Sequence, residues 1–332
     1  MSRWAGLGPV IAALFLTLAA CATREQSALD PAGPQSGKIA ALWWFFFWLL
    51  GVIFVLVMVV MLWTLVRREQ TGTCEPKLQR TVTTASVATV IILLVLLVAS
   101  ITAGKATADL AKKPNPLTIS VTGNQWWWQF RYLNSDPSQV LTTANEIHIP
   151  VGRSILLQGQ SNDVIHSFWA PNLHGKRDLI PSRVTTEYIE ADKPGIYRGQ
   201  CAEFCGLQHA HMAFYVIAEP AGKFNAWMQA QLQPSLEPAN PVLSQGQRAF
   251  LNYACVYCHQ VRGTPAAGQN GPDLTHFGSR STIAAGTLPN TPGNLGGWIL
   301  NPQRIKPGTK MATVAVKPED LQPMIQYLES LK

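Results

Sequence analysis

Cys201-Ala-Glu-Phe-Cys205-Gly-Leu-Gln-His209-Ala-His-Met212 places two thiols, an imidazole and a thioether within twelve residues, at spacings of four, four and three. Thiolate and thioether are soft ligands that select copper, zinc or iron–sulfur centres, and a Met beside Cys and His moves the choice to copper engaged in electron transfer. Zinc closes its structural sites with four N or S ligands, so the Met argues against it. The two thiolates can both reach one metal or both bridge two, with His209 and Met212 as terminal ligands. Two alternatives stand beside this: an exported Cys pair forms a disulfide, and His211 competes with His209. The set is still one ligand short. His166, in Asn162-Asp163-Val-Ile-His166-Ser-Phe-Trp169, sits at a strand end about 35 residues upstream and is the best supplement.

Outward from this run the chain reads as strands. Leu117 to Thr122, Trp126 to Tyr132, Glu146 to Pro150, Ser154 to Gln158, Thr185 to Glu190 and Ala213 to Ala218 are short, β-branched or aromatic, and partly alternating. Gly, Pro, Asn and Asp punctuate them. Such a series predicts an antiparallel sandwich or barrel across 117–232. Trp127 and Trp128 read as its core.

The pattern turns helical from Phe224 to Gln233, and three prolines between Pro234 and Pro241 mark a linker over 233–241. From 242 to 332 strand signals are few, which predicts a small helical domain. A helix opens at Ser244, where Ser-x-x-Gln to Gln247 fits a capping box, and a last helix begins near Pro318. Between them lies Cys255-Val-Tyr-Cys258-His259. Cys-x-x-Cys-His is the attachment signature of a c-type haem: two thioethers from the cysteines and an iron ligand from the adjacent His. A thioredoxin-like redox pair is the competing reading, but no βαβ pattern surrounds it. A sixth ligand is expected from a Met downstream, because Met/His ligation raises the potential of such a centre. Met311 is the better candidate, since Met324 sits at helical spacing among apolar neighbours.

Toward the N-terminus, residues 39–66 and 82–104 hold no Asp, Glu, Lys, Arg or His. Each is long enough, at about 1.5 Å per residue, to cross a hydrocarbon core of about 30 Å. Two transmembrane helices are expected there. Residues 1–20 read as a signal peptide, with the apolar run Pro9 to Ala20 following Arg3. The ending Leu18-Ala-Ala-Cys21 is similar to a lipoprotein signal, with Cys21 as the mature N-terminus, and an ordinary cleavage site with an incidental Cys is the alternative. Between the spans Arg67, Arg68, Lys77 and Arg80 outweigh Glu69 and Glu75, which places that loop in the cytoplasm. The parts beyond residue 105 then face outward, into the periplasm of a bacterium, and Cys74 is a bystander in the cytoplasmic loop. The net charge of +7 comes from scattered residues, so no nucleic-acid surface is implied.

These motifs carry a resemblance. Residues 39–232 resemble subunit II of the haem–copper cytochrome c oxidases. It rests on the spacing of Cys201, Cys205, His209 and Met212, the Asp163-x-x-His166-Ser element, Gly123-x-Gln-Trp126-x-Trp128 and the paired spans. The resemblance implies a multi-domain membrane protein: a two-helix transmembrane hairpin, an all-β cupredoxin-like Greek-key sandwich, then an all-α class I cytochrome c domain. It implies that Cys201 and Cys205 bridge the two coppers of a CuA centre, and that His166 and His209 each bind one. Met212 and the Glu203 carbonyl complete the two shells. The Glu203 carboxylate would face a magnesium or manganese ion shared with subunit I, and Trp126 would lie on the electron entry path. Asn124, Trp127 and Ala202 depart from frequent family residues without removing a ligand. Asn270-Gly-Pro-Asp-Leu-Thr, Ala284-Ala-Gly-Thr-Leu and Lys306-Pro-Gly-Thr-Lys-Met311 resemble the cytochrome domain fused to subunit II in caa-type oxidases, with Ala312 where Pro often follows the Met.

The implied role is electron transfer. A cytochrome c or a quinol–cytochrome c reductase would feed the C-terminal haem, and electrons would pass to CuA and on to subunit I, with subunit III as a further partner. Oxygen reduction and proton pumping belong to the complex, in the bacterial inner membrane. No residue of this chain is catalytic in the sense of touching oxygen, and neither span holds an ionisable group for a proton relay. Subunit II of a quinol oxidase lacks the copper ligands kept here. A CuA-bearing nitric oxide reductase subunit, a membrane-tethered electron carrier and a copper chaperone are the other readings.

Overall fold

A computed structural model of the chain describes residues 26–67, 75–110 and 114–332. The expected signal peptide, Cys21 and Cys74 lie outside the described residues. Helices α1 (Pro34–Val66) and α2 (Glu75–Leu110) extend beyond the uncharged runs that define them in the sequence. Their large apolar side chains, among them Trp48, Phe54, Leu65, Leu94 and Ile101, are exposed along both helices. Apolar surface of that extent is stable only in a lipid or protein environment.

The start of α1 is tied to the β-domain. Pro34 stands at the first helical position, and the Ser36 hydroxyl donates to the Asn172 carbonyl at 2.6 Å. The Ala32 N–H donates to the same carbonyl at 2.7 Å. A Cβ on Gly33 would lie 2.2 Å from the Glu190 carbonyl oxygen, so this close approach requires glycine.

Ten strands follow, in two five-stranded sheets. The first has the order β3-β2-β1-β5-β8, from β1 (Leu117–Asn124), β2 (Trp127–Tyr132), β3 (Leu141–Ala144), β5 (Ile155–Ser161) and β8 (Thr185–Ile189). The second is β4-β10-β9-β6-β7, from β4 (Glu146–Pro150), β6 (His166–Trp169), β7 (Arg177–Leu179), β9 (Gly195–Cys201) and β10 (Ala213–Glu219). The pairing is mixed, because β1 runs parallel to β5 and β10 parallel to β4. The sandwich expected from the sequence is therefore present. The strand end expected at His166 is the start of β6, while β3, β7 and β9 carry too little alternation to be read from the chain alone.

Alternating inward residues fill the space between the sheets. Phe168 and Phe214 stack at 4.3 Å, with Trp128 edge-on to Phe214 at 5.2 Å. Burying such a ring stabilises the fold by roughly 1.5–3 kcal/mol. Gly199 is fixed by the same cluster, because a Cβ there would meet the Phe214 ring at 2.1 Å. Helix α3 (Ala221–Leu232) closes the domain by setting Trp227 against Tyr132 and stacking it on His148 at 4.0 Å.

Helix α4 (Pro241–Asn252) begins three residues before the expected start at Ser244. Asn240 is the cap, accepting from the Leu243 N–H at 2.9 Å, while Ser244 donates its hydroxyl back to the Asn240 carbonyl. Asn outcompetes the Ser-x-x-Gln box because its side chain already satisfies one free N–H with Pro at the next position. Beyond it lie β11 (Thr282–Ile283) and β12 (Leu288–Pro289), α5 (Pro292–Leu300), the short α6 (Pro302–Ile305) and α7 (Pro318–Ser330). Helices α4 and α7 cross closely at Gly246, where a Cβ would lie 2.0 Å from the Pro323 carbonyl oxygen. Pro323 interrupts the ladder of α7, and the Glu319 carbonyl that it leaves without a helical donor accepts from Gln245 Nε2 at 3.4 Å.

Candidate metal centre and haem-attachment motif

The opening run is the connection between β9 and β10. Cys201 ends β9, Met212 directly precedes β10, and the Cys201 N–H donates to the Met212 carbonyl at 3.0 Å, closing the loop at its base. His166 reaches the loop through the sheet: β6 pairs with β9 in the register Phe168 opposite Cys201, and the Ala202 N–H donates to the Ser167 carbonyl at 3.0 Å. Strand pairing thus removes the separation in sequence between His166 and Cys201.

The ligand atoms of His166, Cys201 and Cys205 lie within 4.8 Å of one another. His166 Nδ1 is 3.8 Å from Cys201 Sγ, and His209 Nδ1 is 3.5 Å from Cys205 Sγ. Met212 Sδ stands 3.9 Å from Cys205 Sγ, and the Glu203 carbonyl oxygen 3.2 Å from Cys201 Sγ. Cys201, Cys205 and Met212 are buried and both thiols are free, so the disulfide alternative is absent. His211 points elsewhere, with its Nδ1 on Gln208 Oε1 at 2.9 Å.

The surroundings hold each donor in place. The Asp163 carboxylate takes His166 Nε2 at 2.8 Å, which leaves Nδ1 directed at Cys201. Burial opposes ionisation of Asp163, but the His166 ring, the Gln125 and Val164 N–H groups and Lys310 together hold its carboxyl below the usual range. Cys201 is held well below the ordinary thiol range by the Cys205 S–H beside it, against the opposing effect of burial. The Cys205 carbonyl accepts from Gln125 Nε2 at 2.8 Å and from the Trp126 indole at 3.0 Å. The Trp128 indole donates to the Met212 carbonyl at 3.3 Å, so Trp128 supports the loop as well as filling the core. A Cβ at Gly123 would fall 2.6 Å from His166 Cδ2, so only glycine admits the ring. Sequence reading quoted Asp163, Gln125 and Gly123 within motifs without giving them these contacts; nothing short of the fold shows them.

Glu203 and Trp126 have different neighbours. The Glu203 carboxylate pairs with Lys176, whose neighbour Gly175 packs against Ile39 of α1, and Phe204 is 79% exposed. Trp126 is only 8% exposed, and Gly308 of the C-terminal domain packs over its ring.

In that domain Cys255 and Cys258 are carried by a short 3-10 turn over Ala254–Tyr257, Cys255 half-buried and Cys258 exposed. His259 Nδ1 donates to the Pro272 carbonyl at 2.8 Å, leaving Nε2 as the free ring nitrogen. Burial pushes its pKa down, favouring the neutral ring that binds a metal. Gly271 lies close against this ring, where a Cβ would come within 2.8 Å of Cε1. Met311 is half-buried, and its carbonyl accepts from Gln303 Nε2 at 3.0 Å, while Met324 is buried in the helical core.

A membrane-anchored sandwich with a converging Cys, His and Met set, joined to a helical domain bearing Cys-x-x-Cys-His, defines a class of electron-transfer proteins. The family model for the cytochrome c oxidase subunit II periplasmic domain matches residues 117–219, and that for cytochrome c matches 243–332. Cytochrome c oxidase subunit 2 of Alkalihalophilus pseudofirmus is 36% identical over 346 residues, covering 100% of this chain and 99% of that protein. The subunit 2 of Bacillus sp. strain PS3 is 33% identical over 241 residues, 69% of this chain and 66% of its own. The periplasmic domain of cytochrome oxidase subunit II from Bradyrhizobium japonicum, a crystal structure, is 30% identical and covers 36% of this chain and 95% of its own, at a TM-score of 0.33. The chain belongs to the cytochrome c oxidase subunit II family, as a member with a cytochrome c domain fused at its C-terminal end. It is an electron-transfer subunit of a haem–copper oxidase, a complex that it forms with other oxidase subunits.

Proposed function

We propose that this chain carries electrons from a cytochrome c-type donor, by way of its own haem c and a dinuclear CuA centre, to the oxygen-reducing subunit I of a proton-pumping oxidase. The observation that supports this most is the convergence of two imidazole Nδ1 atoms on two buried, unbridged cysteine sulfurs, with a thioether and a main-chain carbonyl completing the set. That donor set is soft and suits copper. When bound, the two coppers and the haem supply one-electron couples that work in series, haem first.

The chain's own residues do the rest. Cys201, Cys205, His166, His209, Met212 and the Glu203 carbonyl would hold the coppers. Cys255 and Cys258 would attach the haem covalently, with His259 Nε2 and Met311 as its iron ligands. The hydrogen bond that Asp163 accepts from His166 and those that Gln125, Trp126 and Trp128 donate hold the ligands or the loop that bears them, so little has to move when charge changes. Electrons would enter on the Trp126 side and leave on the Glu203 side. The carboxylate of Glu203, paired with Lys176, is suited to a magnesium or manganese ion shared with subunit I, and exposed Phe204 next to it in the chain offers that subunit apolar surface. The basic residues between the spans support a cytoplasmic loop and periplasmic outer domains in a bacterial inner membrane, reached by a signal peptide that ends before Cys21.

Electron paramagnetic resonance of the purified full chain, with copper and haem quantified, tests this. Hyperfine splitting from two equivalent coppers and one low-spin haem per chain is expected. A mononuclear copper signal, or a chain that takes up no covalent haem, would overturn it.

A further inference from the structure

Lys306 is 1% exposed, and among the described residues no carboxylate pairs with its ammonium. Its Nζ donates to the Trp126 carbonyl at 2.8 Å, across the boundary between the two outer domains, and to the Ala284 carbonyl at 3.0 Å within its own. Burying a cationic side chain is costly unless its donors are satisfied. A lysine placed here is therefore held by a specific arrangement of both domains, which a surface contact would not require.

The contacts around it come from the same two segments. In the first, the Ala213 N–H donates to the Ala285 carbonyl at 3.0 Å, and the Ser281 N–H and hydroxyl both donate to Glu146 Oε1, at 2.8 and 2.6 Å. Ala284, Ala285 and Gly286 all have positive φ, at 53, 58 and 73°, and that turn lets the strand-edge N–H of Ala213 meet the Ala285 carbonyl. In the second, Gln208 Nε2 donates to the Pro307 carbonyl at 2.8 Å, and Lys310 reaches Asp163 at 3.2 Å. Gly308, at φ 83°, lets the chain pass over the ring of Trp126. Trp126, Asp163 and Gln208 neighbour the ligand-bearing loop or His166, Ala213 begins β10 at the end of that loop, and Glu146 lies in β4, which pairs with β10.

We propose that Lys306 is a positioning residue that seats the C-terminal domain on the copper loop. Its ammonium ties the Ala284 turn and the 306–310 segment to Trp126, whose indole in turn holds the Cys205 carbonyl. The chain thus covers the Trp126 side of its own loop permanently, and a separate donor protein meets the C-terminal domain instead of Trp126. This deepens the reading of the two motifs as successive redox sites, but the docking itself needs neither group bound.

Lys306→Met keeps a long apolar stem and removes the donors. In the full chain in detergent, amide hydrogen exchange at Ala213 and across 281–286 and 305–309 should quicken about tenfold or more, with exchange in β1 and β5 unchanged. Electron arrival at the copper after flash reduction of the haem should slow by about the same factor or more, with both spectra intact. Exchange indistinguishable from the unaltered chain would overturn the proposal. Labelling the unaltered protein with an amine-reactive reagent gives a readout that does not depend on the variant folding: Lys306 should react about a hundredfold more slowly than Lys310, which is 67% exposed. Comparable labelling of the two would also overturn it. Missing copper or haem in the unaltered chain sinks the redox reading and leaves the exchange and labelling results to stand or fall alone.

Discussion

His166 and His259 solve the same problem in opposite ways. Each is a histidine with one nitrogen tied and one left for a metal, but His166 is tied at Nε2 by the Asp163 carboxylate and His259 at Nδ1 by the Pro272 carbonyl. A carboxylate partner raises the basicity of the free nitrogen more than a neutral carbonyl does, and it can be reached by other charges. Asp163 is reached by Lys310 from the C-terminal domain, whereas the Pro272 carbonyl sits within one loop. The proposed copper site is thus assembled from distant segments and is sensitive to them. The proposed haem site is built locally, around a contiguous motif.

The largest effect that would break this contrast is at the bridging thiols. Cys201→Ser should abolish the dinuclear copper signal while the haem spectrum remains, because a hydroxyl cannot replace a soft bridging thiolate. A normal copper signal in that variant would remove Cys201 from the site. On the other side, Met311→Leu should leave the haem covalently attached but eliminate the sulfur-to-iron charge-transfer band and lower the potential. An unchanged band would reassign the axial ligand, with Met324 the next to test.

The histidine comparison itself is tested by Asp163→Ala, which should weaken copper binding about 10–100-fold. Titration of the copper signal against added metal measures it, and retention of full affinity would show that the β6–β9 register alone aims His166. No side-chain substitution can do the same at His259, whose partner is main chain. The smallest effect expected is steric. Gly123→Ala pushes a methyl into the His166 ring and should cost roughly 1–3 kcal/mol in thermal or denaturant unfolding. A fully stable variant would mean that the ring has room to shift, and its copper content would then show whether the shift matters.

Much of this was legible in the chain. Two uncharged runs, a series of short β-branched and aromatic stretches, a Cys-x-x-Cys-His motif and a Cys, Cys, His, Met series are local patterns whose meaning depends on residue type and spacing, and the membrane-length helices, the sandwich and the candidate site residues follow from them. The strand end expected at His166 is β6, whereas β9 escapes the sequence because it is fixed by pairing across the sheet, and the start of α4 differs because the cap at Asn240 lies outside the Ser-x-x-Gln pattern. At the site, the sequence named every donor that the loop brings together, including His166, yet left His209 and His211 as rivals. Only packing separates them, since Gln208 holds the His211 ring away from the sulfurs while His209 faces Cys205.

The sequence by itself determined which atoms are available: the sulfurs, the imidazoles, the haem-attachment cysteines and the membrane-length apolar segments, all set by covalent order. The tertiary structure decided which nitrogen of each histidine is tied, what surrounds Trp126 and what surrounds Glu203, and that Lys306 lies beneath the domain boundary. The approach of His166 to Cys201 and of Lys306 to Trp126 joins residues 35 and 180 positions apart, and such contacts are specified by register and packing rather than by spacing along the chain.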